Sequence, residues 1–409
     1  MPTILLGTLD TKGVEFQFVR DRLKAQGLDT LVIDSGVTGP PHFTPDVPRE
    51  KVFAAAGTTL DAVVKANDRG QAVELAAKGA AKLVVELHAQ GKVDGILGLG
   101  GSAGTTIGTA AMRALPFGVP KLMVSTLASG QVKSFVGVRD IMMMYSVVDI
   151  SGINRISRTV LTNTANAMAG MVSSFSARAK LGAAQALNDK PLITATMFGV
   201  TTPCVEAART QIETAGYEVL VFHATGTGGM TMESFIADGI IEGVLDITTT
   251  ELADELVGGI LSAGKDRLTA AALRGVPQVI SVGALDMVNF GPRDTVPEKF
   301  KDRKFYVHNS NVTLMRTTPV ENDKLGQEIA QKASASQGPT AILLPLKGVS
   351  AIDREGQPFW WPEADRAMFQ SIRNWVGPQV KLIELDLHIN DAEFARTAAE
   401  TLLGFLKKK

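Results

Sequence analysis

The sequence predicts an α/β protein made of two Rossmann-like domains with mainly parallel sheets. Short β-branched runs alternate with helical segments along the chain, and the second half repeats the order of the first. Such alternation is typical of a parallel sheet with crossover helices. At 409 residues with 45% hydrophobic content, the chain is long enough for two domains that each have their own core.

The predicted strands form two groups of four. In chain order they are TILLGTL from Thr3, DTLVIDSG from Asp29, VDGILGLG from Val93, KLMVST from Lys121, LITATMFG from Leu192, YEVLVFHATG from Tyr217, IEGVLDI from Ile241 and PQVISVG from Pro277. In open α/β sheets, ligands bind beyond the carboxyl ends of the strands. The loops that follow these strands are therefore the candidate sites.

Three pairs of segments indicate an internal duplication. GLDTLVIDSGVTG aligns with GYEVLVFHATGTGG, VDGILGLGGSAGTT with IEGVLDITTTELAD, and LPFGVPKLMVST with AALRGVPQVISVG. We interpret the halves as diverged copies, with the boundary in LNDKPL, so that residues 1–187 and 188–409 form the two domains. The first half also contains an insert, roughly Pro40 to Gly91, whose helical pattern packs on the sheet or extends an interface.

Composition excludes several classes of protein. The net charge is −1 and no basic stripe with interleaved aromatic residues occurs, so general nucleic-acid binding has no electrostatic support. A single cysteine excludes an intrachain disulfide and a cysteine-rich zinc site, and it indicates a reducing compartment. The first residues lack a basic n-region, and no apolar run is long enough to span a membrane. We therefore expect a cytoplasmic protein without nucleic-acid or membrane partners.

The most informative motif is VDGILGLGGSAGTT, Val93 to Thr106, in which a strand breaks into a glycine loop that enters a helical pattern. Glycines let the backbone approach a ligand, and the helix N-terminus favours an anion. We expect phosphate here; the alternative is a glycine-rich turn needed only for helix–strand packing. The loop is not a Walker A motif, because Thr105 follows Gly104 where that motif requires lysine. A dinucleotide is also weakly supported, because the next strand lacks the acidic residue that binds ribose.

Three other strand ends of the first half add polar groups to the same predicted edge. Lys12 is placed to meet phosphates, Asp10 to reach a metal ion, and Asp34 to bind ribose hydroxyls. The predicted cofactor-binding residues are Gly7, Thr8, Asp10, Thr11, Lys12, Asp34, Gly36, Gly100, Gly101, Ser102, Ala103, Gly104, Thr105, Thr106, Ser125, Thr126 and Ser129.

The second half carries the candidate catalytic residues at its strand ends. They are Cys204, His223, Asp246 and Glu251. Cys204 follows a proline at a predicted helix start, where the helix dipole lowers a thiol pKa, and with His223 it would form a nucleophile–base pair. A buried cysteine with a capping histidine is the alternative. The glycine loop Gly226–Gly229 is expected to bind a carboxylate or phosphate of a substrate.

Several motifs together resemble a known family. TLDTKGVE, GLGGSAGT, SVVDISGINRISR, TMFGVTTPCV and GVSAIDREGQPFWWPEAD are similar to segments of the ATP-binding family named for the tobamovirus-resistance protein of tomato. The resemblance covers nearly the whole chain. It implies two Rossmann-like domains, ATP and Mg²⁺ binding in the N-terminal domain, and a homodimer. The segment Val147–Lys180, rich in small residues, is the predicted two-fold interface.

Three hypotheses of function follow. The first is an ATP-dependent enzyme that acts on a small acidic metabolite. The second is a nucleotide-regulated interaction module without metabolic turnover. The third is an ATP-independent lyase, hydrolase or dehydrogenase that uses Cys204 and His223.

Overall fold

The computed structural model describes residues 1–185 and 189–407. The chain divides into two compact units, Met1–Asn188 and Asp189–Lys409. The predicted boundary after Leu187 falls on residues outside this description and stays a prediction. Among the described residues, no helix combines the length and the apolar character needed to cross a bilayer.

The first unit is built around a parallel sheet. Its strands are β1 (Thr3–Gly7), β2 (Thr30–Asp34), β3 (Gly95–Gly100), β4 (Lys121–Ser125) and β5 (Met142–Tyr145). Its helices are α1 (Leu9–Ala25), α2 (Arg49–Ala56), α3 (Leu60–Ala66), α4 (Arg69–Ala89), α5 (Ser102–Ala114), α6 (Lys133–Val136) and α7 (Arg155–Gln185). The strand order across the sheet is β2-β1-β3-β4-β5.

Helices cover both faces of this sheet because successive side chains of a strand point to opposite sides. Ile4 and Leu6 of β1 are buried with side chains of α2, α4 and α5. Leu5, between them, is buried with Phe16 of α1 and Met168 of α7. The predicted insert therefore packs on one face of the sheet as α2, α3 and α4. The two-fold interface predicted along α7 stays a prediction.

The second unit contains a parallel sheet and a small antiparallel one. Its strands are β6 (Leu192–Met197), β7 (Glu218–His223), β8 (Gly243–Thr248), β9 (Gln278–Gly283), β10 (Met287–Phe290), β11 (Phe305–Asn309), β12 (Val312–Arg316), β13 (Thr340–Pro345) and β14 (Lys381–Leu385). Its α-helices are α8 (Thr202–Thr214), α9 (Thr227–Ala237), α10 (Glu251–Val257), α11 (Ala270–Arg274), α12 (Pro319–Ser334), α13 (Pro362–Trp375) and α14 (Ala392–Leu406), with 3₁₀ turns at Gly199–Thr201, Arg293–Thr295 and Glu298–Phe300. The sheet orders are β14-β13-β9-β8-β6-β7 and β10-β12-β11.

The two parallel sheets have the same topology. The order β7-β6-β8-β9-β13 repeats β2-β1-β3-β4-β5, and β14 extends the second sheet. The predicted α/β class with parallel sheets is confirmed, and the shared order is the one that an internal duplication predicts. In this order the chain direction across the sheet reverses between β1 and β3, and ligands of such folds bind at that switch point.

Candidate functional site

A cavity of about 730 Å³ lies at the switch point of the first unit. Predicted cofactor-binding residues from the loops after β1 and β3 contribute to its wall. They are Thr8, Asp10, Thr11, Lys12, Gly100, Gly101, Ser102, Ala103 and Gly104. The structure therefore brings two of the predicted loops together around one space, whose volume is in the range of small-molecule sites.

Two glycines of the loop have different roles, one in the packing of the chain and one in keeping the cavity open. A Cβ atom on Gly100 would lie 2.7 Å from the Cα of Gly104, so glycine is required there for the chain to turn. A Cβ on Gly101 would meet nothing closer than the hydroxyl of Thr126, at 3.6 Å. Gly101 thus leaves open space on the cavity side that the fold itself does not need.

Three helices begin at the cavity wall. Residues from the first turns of α1, α4 and α5 line it; Asp68 caps α4, whereas the N-cap of α5, Gly101, provides no side-chain hydrogen bond to the first turn. The unpaired N–H groups and the macrodipole make each helix N-terminus attractive to anions. Lys12 and Arg69 are the cations of the wall. Three acids, Asp10, Asp68 and Asp149, also line the cavity, so the helix N-termini rather than the net side-chain charge of the wall favour an anion.

An apolar wall of the cavity comes largely from the insert. Its residues are Val37, Val63, Val64, Ala72, Val73, Ala76 and Ile107. Sequence reasoning missed this wall, although the spacing of Ala72, Val73 and Ala76 marks one face of a helix. An apolar surface beside a polar end is the usual composition of a small-molecule site.

Two buried polar atoms at the cavity have no hydrogen-bond partner among the described residues, namely Oδ1 of Asp10 and Oγ of Ser35. The side chain of Asp10 is 2% exposed, and its Oδ2 accepts hydrogen bonds from the N–H groups of Thr38 (2.7 Å) and Gly39 (3.3 Å). Buried polar groups are normally paired, so these atoms point to a polar ligand.

A loop after β5 closes another side of the cavity. The Lys12 ammonium donates to the carbonyl of Ile150, and Asp149, which lines the cavity, accepts from the N–H of Ile150 at 2.8 Å. Val147 adopts a φ of +66°, a conformation that a β-branched residue rarely takes. Lys12 is therefore shared between the cavity and this loop, and its expected contact with phosphate stays a prediction.

Asp34 lies beneath the cavity wall rather than in it. It is 1% exposed, and its Oδ1 accepts from the N–H groups of Leu9 (3.0 Å) and Gly36 (2.9 Å), while burial raises the pKa of its carboxyl group. This geometry makes Asp34 a brace between β2 and the start of α1, and corrects the expected direct contact with ribose. Ser35 and Thr38 line the cavity at this strand end instead.

The remaining predicted cofactor residues also lie outside the wall. Thr105 and Ser125 are fully buried. A hydrogen bond of 2.7 Å between their hydroxyls links α5 to β4. The hydroxyl of Thr106 donates to the carbonyl of Ser102, and the N–H of Thr126 donates to the carbonyl of Gly100. Ser129 is exposed in the loop after β4.

Gly7 and Gly36 serve packing in this structure. A Cβ on Gly7 would overlap the ring of Phe16, and one on Gly36 would lie 2.6 Å from the carboxyl carbon of Asp10. Both glycines therefore let α1 approach the sheet, and they affect the cavity without lining it.

Cys204 in the second unit is a core residue. It is 1% exposed, packs with Val205, Ala208 and Phe394, and burial raises the pKa of its thiol to about 12. Desolvation thus outweighs the helix dipole. The expected activated thiolate is corrected, because a thiol with this pKa stays protonated at neutral pH.

Asp246 and Glu251 form ion pairs with a buried arginine, Arg267. Asp246 accepts two hydrogen bonds from the guanidinium, at 2.5 and 2.7 Å, and Glu251 accepts one at 2.7 Å. All three side chains are at most 1% exposed. The structure explains both acids as members of a closed ion cluster, which corrects the expectation that they face a substrate.

The glycine loop Gly226–Gly229 does bind a carboxylate, but that of its own chain. Oε1 of Glu251 accepts from the N–H groups of Gly226 (2.7 Å) and Gly229 (3.0 Å). A Cβ on Gly229 would lie 2.1 Å from Oε2 of the same residue. The anion site that the glycines predict is therefore filled from within.

His223 ends the edge strand β7 and is exposed, with its ring against Phe198 at a centroid distance of 6.5 Å. Because Cys204 is enclosed in the core while His223 faces outward, the structure does not support the expected nucleophile–base pair. The four predicted catalytic residues thus do not share one solvent-accessible site.

A second buried arginine of this unit was not predicted. The Arg316 guanidinium donates to Asp365 at 2.7 Å and to Asp353 at 3.5 Å. Asp286 accepts from the hydroxyl of Ser350 at 2.8 Å, and burial together with Asp353 raises the pKa of Asp286 to about 8. Burial likewise raises the pKa of Asp365 to about 7. Ser350, Asp353 and Asp365 lie in the motif GVSAIDREGQPFWWPEAD that carries the family resemblance, but no local pattern links this motif to Arg316 and Asp286.

Comparison with known proteins assigns the chain to a family. The N-terminal domain of the Uncharacterised protein family (UPF0261) matches residues 2–177, and the C-terminal domain of that family matches residues 190–406. The chain belongs to UPF0261. A UPF0261 protein of Clostridium tetani is 50% identical over 99% of both chains, and one of Rhizobium meliloti is 45% identical over 96% of both.

The UPF0261 sequence is also similar to a plant protein. The ToMV resistance protein Tm-1(GCR237) of Solanum lycopersicum is 44% identical over 84% of this chain and 46% of its own length. The resemblance that the motifs predict is confirmed. Among solved structures, a UDP-N-acetylglucosamine 2-epimerase from Rickettsia bellii aligns over 100% of this chain and 97% of its own, at 9% identity and a TM-score of 0.24, a likeness too low to inform function.

Proposed function

We propose that the first unit of this UPF0261 protein binds ATP together with Mg²⁺ in the cavity at its switch point. The observation that carries the proposal is the cavity itself, which is lined by a glycine loop, by the first turns of three helices and by a set of apolar residues. A nucleoside triphosphate matches this division, because it joins a flat, largely apolar base to a chain of anionic phosphates.

The phosphates would lie against Gly101–Gly104, where α5 begins. The first-turn N–H groups of α5 have no side-chain cap, and Gly101 leaves room for close approach of a phosphate oxygen. The base would lie against the apolar wall from α3 and α4. The ribose would lie near Ser35 and Thr38, whose side chains line the cavity between these ends.

Asp10 is the residue that we assign to Mg²⁺. Among the described residues, no group of three or more metal-ligating side chains is present, so the protein alone offers no complete metal cage. Mg²⁺ in nucleotide sites usually takes one or two carboxylates and completes its shell with phosphate oxygens and waters. Asp10 fits that requirement, because Oδ1 is unpaired at the cavity wall. The bound ion would neutralise phosphate charge.

Binding, rather than a particular reaction, is what the geometry supports. An ATP-dependent enzyme and a nucleotide-regulated interaction module both require this site, and both stay open as proposals. The ATP-independent reading rested on Cys204 and His223, and it loses its support because the thiol is buried with a pKa of about 12. The homodimer and the cytoplasmic location also stay proposals; light scattering at micromolar concentration tests the former.

Isothermal titration calorimetry with ATP and Mg²⁺ tests the proposal on a matched pair of variants. Gly101→Val should weaken binding by about a hundredfold, because the valine would occupy the space for a phosphate and displace charge-assisted hydrogen bonds. Its Cβ meets no protein atom closer than 3.6 Å, so thermal stability should hardly change. The control Gly130→Val, in the exposed loop after β4, should bind as the parent does. Unchanged ATP affinity in Gly101→Val would exclude the assignment.

A further inference from the structure

Arg69 is the first residue of α4, and its position is electrostatically unfavourable within the protein alone. The N-terminus of a helix carries partial positive charge, which disfavours a cation there. The N-cap of α4, Asp68, accepts the N–H of Gln71 at 3.0 Å. The side chain of Arg69 is exposed. No carboxylate among the described residues lies within ion-pair distance of its guanidinium. Nothing in the described fold requires a positive charge at this position.

The same residue lies on the cavity wall, level with the glycine loop. Helices α4 and α5 both run away from the carboxyl edge of the sheet and pack side by side. Their first residues, Arg69 and Ser102, both line the cavity. A cation at the start of α4 therefore faces the space that the start of α5 opens to an anion.

The unpaired Oδ1 of Asp10 and Oγ of Ser35 indicate independently that this cavity takes a polar ligand, since both atoms are buried at its wall. The other cation of the wall, Lys12, is already engaged by the carbonyl of Ile150. Arg69 is thus a cation of the wall that has no partner among the residues that the structure describes.

We propose that Arg69 binds the phosphate chain of the ligand together with the glycine loop, and so makes the site selective for ligands with more than one phosphate. The inference rests on the proposed nucleotide function. A guanidinium offers a planar fork of donors that matches phosphate oxygens, and the ligand supplies the negative charge that the start of α4 lacks.

The test compares ligands that differ only in phosphate number. Adenosine, AMP, ADP and ATP, each with Mg²⁺, are titrated into the parent, Arg69→Gln, Arg69→Lys and the control Lys78→Gln. Lys78 is exposed on the same helix and does not line the cavity. Arg69→Gln should lose about tenfold to a hundredfold in ATP affinity, progressively less for ADP and AMP, and nothing for adenosine. Arg69→Lys should be intermediate, and Lys78→Gln should match the parent.

A purely structural role predicts something different. Removal of a structural arginine would lower the melting temperature, whereas removal of a cation from a helix start should leave it unchanged or raise it slightly. If Arg69→Gln binds ATP like the parent, or loses adenosine and ATP affinity equally, the inference is wrong while the nucleotide site stands.

Inorganic tripolyphosphate separates the inference from the function on which it rests. If the parent binds tripolyphosphate in an Arg69-dependent way but not ATP, the role of Arg69 holds and the nucleotide assignment fails. If the parent binds neither, both are wrong.

Discussion

The two units contain different groups at the same point of the same topology. In the first unit, the ends of β1 and β3 border a cavity of about 730 Å³. In the second unit, the carboxylates of Asp246 and Glu251 lie at the matching end of β8 and are held by Arg267. The alignment of the halves places Gly98 opposite Asp246 and Ala103 opposite Glu251. In the second unit Glu251, at the start of α10, accepts from the loop after β7, whereas Ala103, at the matching start of α5, brings no carboxylate to the cavity where we propose a ligand anion.

We interpret the difference as a separation of stability, in the second unit, from the binding that we propose for the first. Ions enclosed in the second unit must be paired, since an unpaired buried charge is strongly destabilising. The uncapped start of α5 in the first unit leaves backbone donors without a side-chain partner, which is the usual origin of an anion site. Variants of either unit can test this difference.

The largest effect is expected on removal of the cation from the filled site. Arg267→Met leaves Asp246 and Glu251 buried without their partner and should lower the free energy of unfolding by about 3–5 kcal/mol. Urea unfolding followed by tryptophan fluorescence measures this in the second unit, because all three tryptophans, Trp360, Trp361 and Trp375, lie there.

The matched control is Arg209→Met, which removes an arginine whose partner Glu213 is 40% exposed, as Arg209 itself is. It should leave the unfolding curve unchanged. Adding Glu251→Gln to Arg267→Met should recover part of the loss, since one uncompensated charge disappears. An unfolding curve of Arg267→Met that overlies the parent would mean that the ion cluster is not structural.

A smaller effect is expected from pH on the second unit. Burial raises the pKa of Asp286 to about 8 and that of Asp365 to about 7, beside Asp353 and Arg316. A raised pKa means that the folded state binds more protons than the unfolded state between these values and the usual pKa of about 4. The free energy of unfolding should therefore fall, by about 2–4 kcal/mol, as the pH rises from 5 to 8.

Tryptophan-monitored urea unfolding at several pH values checks this. Asp286→Asn should flatten the dependence, because the amide does not titrate. A stability of the second unit that rises over this interval, or an unchanged slope in Asp286→Asn, would contradict the role assigned to the buried carboxyl groups.

The binding site of the first unit can be altered by giving it the residue of the second. Ala103→Glu places a carboxylate at the start of α5, where the macrodipole favours it, so the fold should tolerate the change. The new charge should repel phosphate and lower ATP affinity at least tenfold, about 1.4 kcal/mol. Ala103→Gln, of equal size but neutral, is the control and should lose less. Calorimetry that finds equal affinity in both variants would argue against an anion at this position.

How far the sequence predicts these features depends on the range of the interactions. Strands and the glycine loop are local patterns, so the order of the elements and the place of the glycine loop could be predicted. The partners of Asp246 and Glu251 could not, because Arg267 reaches them from a loop that no periodic pattern connects to β8. The protonation state of Cys204 could not be predicted for the same reason. The sequence indicates its place at a helix start, but not the burial that raises the pKa of its thiol.

The most direct test of the account is a crystal structure of the parent with a non-hydrolysable ATP analogue and Mg²⁺. We expect the nucleotide in the cavity of the first unit, with phosphate oxygens accepting from the N–H groups of Gly101–Gly104 and the metal beside Asp10. Glu251 should remain bound to Gly226 and Gly229 in the second unit. A nucleotide bound in the second unit with Glu251 displaced, or a first-unit cavity left empty at saturating analogue, would contradict the central claim.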